Sequence, residues 1–147
     1  MVFKFVSISL LFVLSFINYS ASLNSDEAEQ LHVIGNGAPS TMDFDRLVGI
    51  FRGEEALWDN KKSIIIVLPS SKNETAEEIA KTIFNGSVMT MKKYWLGLVF
   101  QGRANPPVFL DSNEDIINYV QKNQGAIGIL YCKKEIVPQS LLINIAE

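Results

Sequence analysis

Three groups of side chains in this sequence have the chemistry to hold or act on another molecule. The first is a pair of hydroxyls, Ser70 and Ser71, between an apolar run that ends at Pro69 and a helical stretch that starts near Glu74. A strand–turn–helix junction offers free backbone N–H groups and the positive end of a helix dipole, so hydroxyls there suit an anion. Ser71 and Glu74 also have capping-box spacing, and Glu74, Glu77 and Glu78 crowd the same end. A carboxylate in the cap competes with any bound anion. The second is Arg103, the only charge in the loop Arg103-Ala104-Asn105-Pro106-Pro107, where it can hold an anion or stand solvated. The third is the lone histidine and lone cysteine, His32 and Cys132.

His32 and Cys132 define what the chain lacks. Without a second histidine or a cysteine pair, a zinc site has none of its usual ligand sets. A serine nucleophile would need a base and a Gly-x-Ser-x-Gly elbow, and no such elbow occurs. His32 therefore reads as structural, and Cys132, beside an apolar run, as a buried small hydrophobe. One cysteine makes no intrachain disulfide, so stability must come from packing. Gly35-Asn36-Gly37 permits a tight turn, but with no third glycine and no basic residue after it the pattern is a connection rather than a phosphate loop. No metal, cofactor or catalytic set is expected.

The elements that must position these residues alternate. Leu31–Ile34 reads as a strand. Ser40 to Trp58 reads as a helix capped by Ser40 or Thr41, with Phe44, Leu47, Val48 and Phe51 on its apolar face, stopped by Gly53 and followed by an anchoring Trp58. Ile64 to Leu68 is an unbroken apolar run, the mark of a strand buried on both faces, as in a parallel sheet covered by helices. Ala76, Ile79, Ala80, Ile83 and Phe84 line a second helix, and Met91, Tyr94, Trp95, Leu98 and Val99 a third over residues 90–101. A short strand at 108–110, a fourth helix capped by Ser112, a strand at 125–131 and a last strand at 141–145 complete the pattern. It predicts an α/β domain with a mostly parallel sheet of about five strands flanked by helices.

Residues 1–22 read as a signal peptide: Lys4, then the largely apolar run Phe5 to Ile17, then Ser20-Ala21-Ser22. That run is too short to span a bilayer, which needs about 20 apolar residues. Residues 23–30 read as a flexible lead-in and 31–147 as the domain. The mature chain is expected in the periplasm or outside the cell, with no membrane span. Net charge is −3, with no basic cluster, so nucleic acid is not an expected partner.

Three stretches carry a family resemblance. LVGIFRGEEALW resembles the pattern Ile-Phe-x-Gly, a short gap, then Trp, of periplasmic phosphate-binding proteins of ABC transporters. KKYWLGLVFQGRANPP and QGAIGIL resemble later parts of short members of that superfamily. The resemblance runs from about Leu31 to Ile145. It implies one lobe of a type 2 periplasmic binding-protein fold and a ligand such as phosphate or another oxyanion. The family's phosphate-contacting Ser-Gly-Thr would map near Ser70-Ser71-Lys72, where the glycine is absent and Glu74 sits close by. The expected function is a secreted, non-catalytic solute-binding module. Its native affinity should be low, and higher in Glu74→Gln. The alternative is an interaction protein that kept the fold and docks on an envelope partner.

Overall fold

The computed structural model of the chain describes residues 28–146. The expected signal segment lies outside them. Six strands and four helices follow one another as β1 (Gln30–Gly35), β2 (Thr41–Asp43), α1 (Phe44–Phe51), β3 (Ile65–Pro69), α2 (Ala76–Phe84), α3 (Val88–Phe100), β4 (Val108–Leu110), α4 (Asn113–Lys122), β5 (Ala126–Cys132) and β6 (Leu142–Ala146). They build one mixed sheet in the order β2-β6-β1-β5-β3-β4. β1 pairs antiparallel with both β5 and β6, while β2–β6, β3–β4 and β3–β5 are parallel. Five strands thus share one direction and β1 alone runs against them.

The unbroken apolar run at β3 is explained by two cores. Ile66 and Leu68 face a cluster with Leu47, Phe51, Ile79, Ile83, Met91 and Trp95, which covers one side of the sheet with α1, α2 and α3. Val67 faces the other side, where Ile116 and Val120 of α4 pack with Ile34 and Leu130. Alternating side chains point to opposite faces, so a strand covered on both sides must be apolar at every position.

The first helix departs from expectation at its start. Thr41, Met42 and Asp43 form β2 along β6 instead of a first helical turn. Met42 is buried in the process. The cap is therefore Asp43, whose side chain accepts from the Arg46 N–H at 2.8 Å, and not Ser40 or Thr41. The buried face shifts with it: Leu47, Ile50 and Phe51 are inside, whereas Phe44 is 40% exposed. β2 is also the sixth strand, one more than expected. Gly53, with φ of +75°, follows α1 in the left-handed conformation expected of its stop.

His32 is nine-tenths buried, and its Nε2 has no hydrogen-bond partner among the described residues. Strand alternation puts it on the face of Ile34. An unmet buried polar atom costs the fold its desolvation without return. His32→Leu is expected to raise stability by about 1 kcal/mol, read as a higher midpoint in urea unfolding. A lower midpoint would show that the imidazole holds a partner in solution.

Candidate functional site

β3 and β4 are parallel neighbours, with Pro69 opposite Leu110. Both strands therefore deliver their following residues to the same sheet edge, the carboxyl end of the strands, where open α/β sheets hold ligands. Ser70 and Asp111 are those residues. The Ser70 N–H continues the ladder to Leu110 O at 2.8 Å. The Ser70 hydroxyl donates to Asp111 Oδ1 at 2.5 Å and accepts from the Lys72 N–H at 3.1 Å. Lys72 Nζ lies 3.5 Å from Asp111 Oδ2. One in-chain carboxylate is thus held by a hydroxyl and an ammonium at the edge of the sheet.

The rest of the loop is tied internally. The Asn73 N–H donates to Ser70 O, the Thr75 N–H to Asn73 Oδ1 and the Ala76 N–H to Asn73 O, at 3.1, 3.0 and 3.1 Å. The capping box expected from Ser71 and Glu74 does not form. Thr75 is the cap residue of α2, without a side-chain cap bond, and Asn73 closes the loop instead. Ser71 accepts from Lys92 Nζ at 3.0 Å, which joins the loop to α3. Asn73 Nδ2 reaches Asn113 Oδ1 at 3.3 Å, and Asn113 Nδ2 reaches Tyr131 O at 3.3 Å, so α4 and β5 brace the same edge. A cleft of about 310 Å³ runs along it past Lys72, Glu74, Asp111, Asn113 and Tyr131.

The Ser70 hydrogen bond holds the Asp111 carboxyl below its usual range, and the Lys72 charge adds to the effect. A carboxyl whose value falls on folding contributes stability above its unfolded value and loses it as pH drops through the lowered one. The Ser70–Asp111–Lys72 contact is therefore intact at neutral pH and lost in acid.

Arg103 is elsewhere. It lines a cavity of about 170 Å³ with Glu55, Ile64, Ile65 and Ile66, at the amino end of β3. Ser70 follows the opposite end, about 13 Å from Ile66 at the rise of an extended strand. Ser70 and Ser71 are neighbours in one loop, and Arg103 does not join them. Sequence reasoning missed Asp111 and Lys92. The signal for Asp111 was present, since residues just past two adjacent parallel strands emerge side by side. The Cys132 thiol is buried, and desolvation together with the nearby Glu29 pushes its pKa up, which suits a packed residue and not a nucleophile. No group of three or more His, Cys, Asp or Glu is placed to hold a metal among the described residues. No helix among them is long and apolar enough to cross a membrane.

The fold is one lobe of a periplasmic binding-protein architecture. An ABC-type phosphate transport receptor from Vibrio cholerae superposes with a TM-score of 0.61 at 16% identity, over 82% of this chain and 48% of that one. A putative phosphate ABC transporter substrate-binding protein from Clostridium perfringens, solved with bound phosphate, superposes with a TM-score of 0.56 at 14% identity, over 81% and 45%. The chain spans about half the length of these proteins. No protein-family model matches it, and no curated protein matches it significantly.

Proposed function

We propose that the chain is a secreted, non-catalytic binding lobe whose ligand class is phosphate or a related oxyanion, and whose binding position is the loop between β3 and α2. One observation carries the reading: in a fold shared with phosphate receptors, Ser70 and Lys72 already hold two oxygens of an anion, and that anion is Asp111. The side chain stands in for the ligand and lowers native affinity. Asp111→Asn is expected to tighten inorganic phosphate by about fivefold, the scale of one exposed charge pair. Glu74→Gln acts in the same direction by removing a charge from the cleft. Ser70→Ala added to Asp111→Asn cancels the gain, and Arg103→Ala changes nothing. Calorimetric titration with phosphate checks all four. Identical affinities for Asp111→Asn and the native protein would overturn the assignment.

The second reading is an interaction lobe that kept the fold and docks on an envelope protein. It is supported by the loop's own chemistry, since the N–H groups of Lys72, Asn73, Thr75 and Ala76 are all spent within the loop. It predicts no heat with phosphate for the native chain or for any variant.

A further inference from the structure

α3 is apolar on more than one side. Val88, Met91 and Trp95 are buried in the core, yet Met89, Leu96 and Phe100 are 59%, 57% and 83% exposed. A helix that is apolar all round is normally covered all round. Beside the exposed side lies a groove of about 420 Å³. Trp95, Leu96 and Val99 form one wall, and Pro106, Pro107 and Phe109 the other. The only charged groups lining it are Lys92 and Lys93, which sit with Met89 toward the start of the helix. α3 has no carboxylate, in a chain whose net charge is −3. Lys92 Nζ meets only the uncharged Ser71 hydroxyl, and Lys93 has no hydrogen bond or ion pair among the described residues.

We infer that this groove binds a free, single-chain anionic amphiphile, with its alkyl chain along α3 and its anionic head at Lys92 and Lys93. The size is that of a small-molecule site, apolar with a few charged groups to fix orientation. From Met89 to Val99 the helix provides about 15 Å of length for the chain. A second copy docking through the same face would set its own lysines against these two. A bilayer surface would cover the ridge of Leu96 and Phe100 but not fill the groove between α3 and the proline segment. The groove shares Lys92 with the β3–α2 loop, but the inference does not require that loop to bind phosphate.

Dodecanoate, titrated calorimetrically into the purified chain below its micelle-forming concentration, is the test. The expected result is saturable binding at one per chain, no binding of butyrate, and at least tenfold weaker binding of dodecyltrimethylammonium. Lys93→Glu and Leu96→Glu, both surface changes, are each expected to weaken dodecanoate at least tenfold with an unaltered circular dichroism spectrum. Asp111→Asn leaves it unchanged. The inference is overturned by equal affinity for the cationic amphiphile, by absence of saturable binding, by cosedimentation with phosphatidylglycerol vesicles in place of dodecanoate binding, or by self-association that Leu96→Glu abolishes.

Discussion

Gly125→Ala is expected to cost about 3 kcal/mol or more of folding stability. Gly125 has φ of +91°, a conformation that penalises any side chain by about 1–2 kcal/mol. The larger obstacle is what a methyl would strike. Its position is already taken by the backbone oxygen of Ser63, which no rotamer change can move. The residue cannot shift freely either. Its N–H donates to Asn36 O at 2.7 Å, and its carbonyl accepts from the Ile65 N–H at 3.1 Å and from Trp58 Nε1 at 2.9 Å. Urea unfolding followed by circular dichroism reads the loss. A midpoint near the native one would mean that the Ser63 segment yields.

Trp58→Ala is expected to cost about 3–5 kcal/mol, as for other large aromatic truncations in cores. The indole is 2% exposed and packs in the cluster under α1 and α3. Its N–H is the donor that reaches Gly125 O, across 67 residues of sequence. Trp58→Phe keeps most of the packing and loses that bond, so about 1–2 kcal/mol is expected. Because the two residues share a contact, Trp58→Phe and Gly125→Ala should combine with less than the sum of their separate costs. Strict additivity in the double variant would show that the bond contributes nothing to the junction.

That contact explains why two separated patches of sequence were informative together. Phe51, Gly53 and Trp58 form one patch and Gly125 to Gly128 the other, and in the fold they touch. Gly53 belongs because a Cβ there would meet the Trp95 ring at 2.8 Å. β3 was legible for a plain reason, since burial on both faces leaves only apolar residues. Boundaries set by partners far along the chain were not legible. Ser40, Thr41 and Asp43 can each cap a helix, and only β6, about 100 residues later, decides that Asp43 does. Nothing in Leu31–Ile34 states which way the strand runs. The proposed site was half legible in its placement: Ser70 and Ser71 follow from the strand–helix junction, whereas Asp111 requires knowing that β3 and β4 are neighbours. Arg103 shows the opposite failure. A charged residue in a proline-bound loop has the right chemistry for an anion, but its sequence carries no address.

The reversed strand also sets the order in which the molecule can fold. β1 comes first among the described elements, yet Gln30 pairs with Cys132 and Val33 with Ile143. It has no strand partner until β5 and β6 have been made. Pairings this distant close slowly, because the entropy of a long loop is lost before any contact repays it. A chain emerging from the ribosome can form α2, α3 and the β3–β4 unit, but the centre of the sheet stays open until β5 arrives. The middle of the sheet is therefore the last part of the described residues to close.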